Sequence, residues 1–299
     1  MGGTRFIGRP LVQILSEQNH ELTLFTRGYN EVPKEVDHIL GDRKNLEDLK
    51  SLSKRKFDLI IDTSGRTLAD TESLIRQTGV PNVRYIYISS AGVYKKSNIL
   101  PVDEKYFIDE QSRHIGKAFT ERWLTDNGIP YTSFRPTYIY GPGNYNPIER
   151  WFFDRIIYRK PIPIPGDGET ITQLGHVFDL AKAISKSVES DIAKNKIYNC
   201  SGKKAITFKG LIEIAAVAAN VDPGNVDTIS FDPSKVDSKA RKAFPLRLEN
   251  FYTDISLCEN ELCWSETFDL KQGFKDSFEN DYLLNKSESP DFTSDKNLY

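Results

Sequence analysis

The chain opens Met-Gly-Gly-Thr-Arg-Phe-Ile-Gly and runs directly into a helical stretch, RPLVQILSEQ. A glycine-rich turn of this kind presents backbone N–H groups and the positive end of a helix to a pyrophosphate. Gly2, Thr4, Arg5, Phe6, Ile7 and Gly8 are therefore the first candidate binding residues. The strand that follows ends in Thr26 and Arg27, where a dinucleotide fold ordinarily offers an acidic residue to the adenosine ribose. An arginine there suits the extra phosphate of NADP, and reads equally well as a solvated turn residue. Asp42 of GDR ends the next strand, and Thr63, Ser64 and Gly65 close the same cleft. A second group of reactive types is the run Arg113-His114-Ile115-Gly116-Lys117. Within it the imidazole of His114 titrates in the range useful for proton transfer.

These residues need a frame that gathers strand ends. ELTLFTRG, VDHILGDR, FDLIIDTSG, VRYIYISSAGVY and PYTSFRP read as strands, almost continuous in apolar residues as expected when both faces are covered. Helical stretches alternate with them, including ADTESLIRQTG and a longer helix predicted over DEQSRHIGKAFTERWLTDNG, with Gly128 at its stop. This alternation is the rhythm of βαβ units and predicts a doubly wound parallel α/β sheet with a small C-terminal lobe. Residues 1–148 and 173–202 form the dinucleotide-binding lobe in this reading. Residues 149–172 and 203–286 form the second lobe, and 287–299 a disordered tail. KPIPIPGDGET reads as strand-turn-strand, KIYNCSG as a strand and FKGLIEIAAVAANV as a helix, the remainder being irregular and charged. The glycine turn should follow a central strand, so the reading also expects several apolar residues upstream of Met1.

Composition narrows the function classes. A net charge of −2 argues against a wholesale electrostatic grip on nucleic acid, though not against a local basic patch. Three cysteines, Cys200, Cys258 and Cys263, without a C-x-x-C pair supply neither a disulfide framework nor a zinc site. Asp62, Asp167 and Asp179 give no legible metal site by spacing. No apolar run approaches the roughly 20 residues that span a bilayer, so no membrane partner is expected. Sparing cysteine use and the lack of a signal-peptide pattern make the expected location cytoplasmic.

Four segments in order, GGTRFIG, YISSAGVY, RPTYIYGPG and GDGETITQLGHVFDLAKAI, resemble the extended short-chain dehydrogenases and sugar-nucleotide epimerases of the NAD-dependent epimerase/dehydratase family. The resemblance implies a Rossmann lobe that binds NADP or NAD, with Asp42 at the adenine and Pro136 and Thr137 packing the nicotinamide end. Ser90 matches the catalytic hydroxyl, and the GDG turn, His176 and Asp179 match the region that closes over substrate. Catalysis in that family rests on a Tyr and a Lys four residues apart on one helix, the lysine lowering the phenol's pKa. Here Lys117 holds the lysine position, but Arg113 holds that of the tyrosine, and a guanidinium cannot act as general base near neutrality. The middle glycine of the G-x-x-G-x-x-G turn is likewise Arg5, which either swings out to pair with phosphate or closes the site. His114 is the obvious substitute base, though one residue off it points about 100° around a helix. It reads otherwise as a surface or packing histidine. Tyr94 and Tyr106 are further candidates, of which Tyr94 is better placed to pack.

GGTRFIG, LFTRG, ISSAGVY, the SRH-x-GK string and LCWSETFDLKQGFKDSFENDY resemble more narrowly the chloroplast stem-loop-binding proteins and their cyanobacterial relatives, which share the Arg5 and Arg113 departures. That resemblance implies binding of a stem-loop or messenger RNA, with endonuclease activity reported in the family and the nucleotide cofactor retained as a structural ligand. Phosphates need cations and exposed bases need flat groups. Arg150 and Arg155 beside Trp151, Phe152 and Phe153, and Lys235, Lys239, Arg241 and Lys242 near Phe244, are the candidates; solvated faces and core aromatics are the plainer reading. The alternative is an NADP-dependent epimerase, dehydratase or reductase acting on a nucleotide sugar through Lys117, Ser90 and an unorthodox acid. A scaffold subunit is a third reading. A homo-oligomer is compatible with the family, whose site-flanking helices form dimers, but no interface is legible in the sequence.

Overall fold

A computed structural model describes residues 1–146, 148–237 and 240–298. Six strands run parallel: β1 (Thr23–Thr26), β2 (Asp37–Leu40), β3 (Leu59–Asp62), β4 (Arg84–Ile88), β5 (Tyr131–Arg135) and, later in the chain, β9 (Lys196–Asn199). β2 pairs with β1, and β3-β4-β5-β9 form a continuous parallel ladder. The first two residues join the two parts. Gly2 N donates to Phe25 O at 3.2 Å, Met1 N to Ile61 O at 2.8 Å, and Thr63 N to Met1 O at 3.2 Å. All the first-lobe strands expected from the sequence are present.

Helices cover both faces. α1 (Gly8–Glu17) lies on one face, α2 (Leu46–Lys50), α3 (Leu68–Thr78) and α4 (Ile115–Asp126) on the other. β4 shows why its sequence has no alternation: Ile86 and Ile88 join a core with Leu11 and Leu15 of α1, whereas Tyr85 and Tyr87 join Leu74 of α3 and Leu124 of α4. Burial on two faces favours an unbroken apolar run. α4 is shorter than the sequence predicts. Ser112 Oγ accepts from His114 N at 3.0 Å, a local turn that holds residues 112–114 outside the helix. Once formed, α4 is fixed to β5 by a buried pair, Glu121 receiving Arg135 Nη2 at 2.6 Å and Ser133 Oγ at 2.6 Å.

The second lobe begins beyond the sheet. β6 (Tyr138–Tyr140) leads to α5 (Ile148–Ile157) and β7 (Ile162–Pro165). β8 (Ile171–His176) pairs with β6, so the chain recrosses at the end of β8 rather than at residue 172. α6 (Val177–Val188) then returns to the first lobe and packs on α1. β10 (Ala205–Thr207) pairs with β8, and after α7 (Phe208–Ala218) comes β11 (Thr228–Phe231), which pairs with β7. The Pro-Gly segment therefore supplies β7 and leads into β8, which lie in two different sheets and not in one hairpin. The charged remainder is also less irregular than expected, forming α8 (Ser256–Glu261) and α9 (Leu270–Ser277). Asp269 caps α9 in a reciprocal box with Gln272. The lobe's core is aromatic, with Phe152, Phe153, Phe208, Phe244, Phe274 and Phe278 in one buried cluster.

Residues 287–298 are not the disordered tail that composition implies. Leu298 inserts into the aromatic core, and Asp295 receives Arg155 at 2.5 Å. Tyr299 lies outside the described residues.

Glu121→Ala should cost about 3–5 kcal/mol in denaturant unfolding, because it leaves Arg135 buried without its counter-charge. A loss below about 1 kcal/mol, the range of an exposed pair, would contradict this assignment.

Candidate functional site

The carboxyl ends of the parallel strands converge on one cleft, the usual ligand position in a doubly wound sheet. At its head is the glycine turn, with Gly2 and Gly3 at φ of 84° and 111°. Gly8 must be glycine, since a Cβ there would stand 2.5 Å from Gly3 Cα. α1 starts with no side-chain cap and no acidic residue in its first turn. Gly8 N and Arg9 N donate to Arg5 O and Phe6 O at 2.9 and 3.0 Å and Pro10 has no N–H, so an anion here would meet the turn before the helix and the positive end of its dipole. Thr4 and Ile7 are half-buried and Phe6 is buried. Arg5 is exposed, and its guanidinium lies 4.6 Å over the Tyr145 ring, tying the turn to the loop after β6. Arg27 is exposed and stacks on Tyr29 at 4.9 Å, as a solvated turn residue does. Asp42 accepts from Lys44 N at 2.9 Å and shapes its own turn.

Beneath this half of the cleft is an interaction that the sequence pattern did not disclose. Arg43 grips Asp62 with both terminal nitrogens, at 2.7 and 3.0 Å, and reaches Ser64 Oγ at 2.7 Å. Asp62 also accepts from Tyr85 OH at 2.6 Å and from the N–H groups of Ser64 and Gly65 at 2.9 Å each. Burial would raise this carboxyl, but the Arg43 charge and these donors hold it well below the usual range. The one sequence signal was an aspartate ending an apolar strand, which needs a partner. Asp62 is thus unavailable to a metal. Asp179 is buried and accepts from Thr267 N and Phe268 N at 2.7 and 3.1 Å, and Asp167 is an exposed turn residue accepting from Glu169 N. No metal-binding cluster of three or more His, Cys, Asp or Glu side chains occurs among the described residues.

The other half of the cleft is organised around Gly92. Gly92 N donates to Ser90 Oγ at 3.0 Å, and Gly92 O accepts from Ser112 Oγ at 2.7 Å and Arg247 Nη2 at 3.3 Å. A Cβ on Gly92 would lie 2.5 Å from His114 Cδ2, so glycine lets the imidazole rest on this turn. Arg113 is exposed and stands before α4 rather than on it. Its Nε donates to His114 Nε2 at 3.0 Å. Burial, then the charges of Arg113, Lys117, Arg247 and Arg66, push His114 down to about 4. The imidazole is neutral at pH 7, and the lone pair a general base would use is already engaged. Lys117 Nζ donates to Ile88 O at 2.5 Å and Gly65 O at 3.3 Å, joining α4 to the ends of β3 and β4. Burial draws its ammonium down to about 8.

Other residues singled out in the sequence make contacts within the protein. Thr137 bonds Ser201 and the Gln173 carbonyl, and Pro136 O accepts from Ala91 N. Tyr94 OH donates to Asn199 at 2.7 Å inside the core, so it packs as expected, and Tyr106 is half-buried beside Phe107. His176 is buried against Phe268 and Asp276. Of the basic clusters, Arg155 is buried against Trp151, and Phe152, Phe153 and Phe244 are core residues that offer no face to a base. Arg150 bonds Asn285 O, Arg241 bonds Phe244 O, and Lys235 and Lys242 are exposed. Lys239 lies outside the described residues.

A doubly wound sheet with a helix-end anion cradle at its carboxyl edge defines a class, and comparison with known proteins gives the family. The model of the NAD dependent epimerase/dehydratase family matches residues 1–201. The chain belongs to this family. Within it, the chain is 40% identical over 313 residues to the chloroplast stem-loop binding protein of 41 kDa b from Arabidopsis thaliana, covering 99% of this chain and 82% of that protein. Among solved structures, UDP-glucose 4-epimerase from Thermotoga maritima with UDP-glucose superposes with a TM-score of 0.77 at 18% identity, covering 93% of this chain and 96% of that one. The Thermus thermophilus UDP-glucose 4-epimerase complex with NAD gives 0.76 at 18% identity over the same shares. Pal from Bacillus thuringiensis gives 0.76 at 20% identity, covering 95% and 98%. At these identities the structural likeness establishes the fold.

The folded state refuses His114 a proton that the unfolded chain accepts near its ordinary value of 6.5. Its contribution to stability is therefore intact above about pH 6.5 and falls as pH drops toward 4. Melting temperature against pH should be flatter across this window for His114→Asn than for the parent. Parallel curves would show that the imidazole is not held neutral by its neighbours.

Proposed function

We propose that this chain is a family member whose cleft has been turned from proton transfer to binding the phosphates of a structured RNA. The observation that carries the proposal is the hydrogen bond from Arg113 to His114 within a group of four cations. Proton exchange with a substrate hydroxyl needs a group that gives and takes a proton near neutrality. Arg113 keeps its proton, His114 has its Nε2 lone pair engaged, and Lys117 spends its ammonium on two carbonyls. Arg66, Arg113, Lys117 and Arg247, near enough to act together on one imidazole, instead make a seat for anionic oxygens. The stem-loop-binding name of the Arabidopsis relative supports the same reading.

A nicotinamide dinucleotide fits the glycine turn, because the close Gly3–Gly8 approach and the positive end of α1, with no acidic residue in its first turn, suit a pyrophosphate. When bound, the dinucleotide supplies hydride exchange. Gly3, Thr4 and Phe6 would hold it through backbone groups, with Gly8 allowing the close approach, and Arg27 leaves NADP and NAD both admissible. In the proposed role it is a structural ligand. Ser90 and Lys117, both retained, favour the second reading, an enzyme acting on a nucleotide sugar.

A stem-loop RNA titrated against the protein at several salt concentrations should bind with an affinity that falls steeply with salt, the slope corresponding to about three or more phosphate contacts. Absent or salt-insensitive binding overturns the proposal. Arg113→Tyr should not bring turnover of UDP-glucose, since residue 113 lies in the turn before α4. Sustained turnover by either form would put the sugar-nucleotide enzyme first.

A further inference from the structure

The face that carries Arg150, Arg155 and Lys242 has an occupant. Residues 287–298 cross α5 and leave between themselves and the helix a cleft of about 370 Å³, lined among others by Arg150, Trp151, Asp154, Lys242 and Phe292. This volume lies within the range of small-molecule sites. Arg155 lies in its wall, its guanidinium 3.7 Å from the centre of the Trp151 ring and 5.4 Å from that of the Phe292 ring. The same guanidinium receives the Asp295 carboxylate at 2.5 Å. The segment thus places an anionic group on an arginine and a flat ring against that arginine's face. RNA makes the same two contacts, through a phosphate oxygen and an unstacked base.

The segment is built to be displaced. Of residues 287–298 only Leu298 is buried, with Pro290, Phe292 and Asp295 half-buried and the rest exposed. Besides the Arg155 pair and Leu298, the segment is held by hydrogen bonds from Tyr158 OH to the carbonyls of Ser287 and Glu288, by the Phe292 ring against that of Tyr158, and by packing of residues 293–297 against residues 240–243. Few buried contacts mean that local opening is inexpensive relative to global unfolding. The segment carries three carboxylates, Glu288, Asp291 and Asp295, against one lysine, Lys296. Between this face and the cleft, Tyr138 OH accepts from Arg247 N at 2.8 Å, and Arg247 bonds Gly92 O.

We infer that Arg150, Trp151, Arg155 and Lys242 form a second RNA-binding groove, which residues 287–298 occupy in cis as a nucleotide mimic. The inference rests on the RNA reading of the cleft. Phosphate takes the place of Asp295 and a base that of Phe292 when the segment lifts, so the basic face is available only to an RNA that displaces it.

The test uses the full chain carrying Phe292→Ala and Asp295→Asn together, with a fluorescent stem-loop RNA bearing a single-stranded extension as probe. Anisotropy should show about three- to tenfold tighter binding than the parent, the factor by which cis occupancy lowers apparent affinity. Lys242→Glu added to the double variant should reverse the gain. Thermal melting confirms folding, and a peptide of residues 287–298 added in trans provides a variant-independent arm by weakening RNA binding to the double variant. RNA bound equally by parent and double variant, with no effect of the peptide, overturns the mimic while leaving the cleft reading intact. RNA bound by neither form overturns both.

Discussion

The Arg43–Asp62 pair is the constraint on which the cleft depends. It joins the turn after β2 to the last residue of β3, and through Tyr85 it reaches β4. Ser64 and Gly65 receive their conformation from the same carboxylate, and Gly65 in turn supplies a carbonyl to Lys117 on α4. A buried ion pair is poor evidence of net stability, because desolvation offsets much of the Coulombic gain. Its clear effect is on position: with every Asp62 oxygen engaged, the loops on both sides of the sheet's middle have one arrangement.

That fixed floor gives the charges above it their meaning. In this family fold the same strand ends bind a dinucleotide and a sugar nucleotide, both anionic, so a positive cleft alone does not distinguish an enzyme from a binding protein. What distinguishes this chain is how its protons are held. Lys117 is bound to backbone carbonyls, His114 is neutral with its lone pair taken, and Arg113 is outside the helix that would have aimed it inward. In the proposed function these cations meet oxygen anions, whereas the enzyme reading would use Lys117, drawn down to about 8 by burial, as its proton carrier.

The first lobe was legible because its strands are buried on both faces and its helices on one, which writes the βαβ rhythm directly into hydrophobicity. The start of α4 was not, since Arg113 and His114 are acceptable helix residues and only the Ser112 hydroxyl, bonding forward to His114, excludes them. The Arg43–Asp62 contact joins a turn residue beyond β2 to the end of β3, strands that are not neighbours in the sheet, and no local pattern reports such a pairing. Arg150 and Arg155 share one helix and look alike in sequence. One remains half-buried and the other is buried by a segment more than a hundred residues later, whose two anchoring side chains, Phe292 and Leu298, are too few to alter its polar composition.

Hydrogen-exchange footprinting of the protein with and without a stem-loop RNA tests the central claim most directly, because it reports where RNA lies and not merely that it binds. The account predicts slowed exchange around residues 90–93, 113–117 and 247, the three segments that meet at Gly92. Protection confined to other surfaces, with those three segments exchanging as in the free protein, would contradict it.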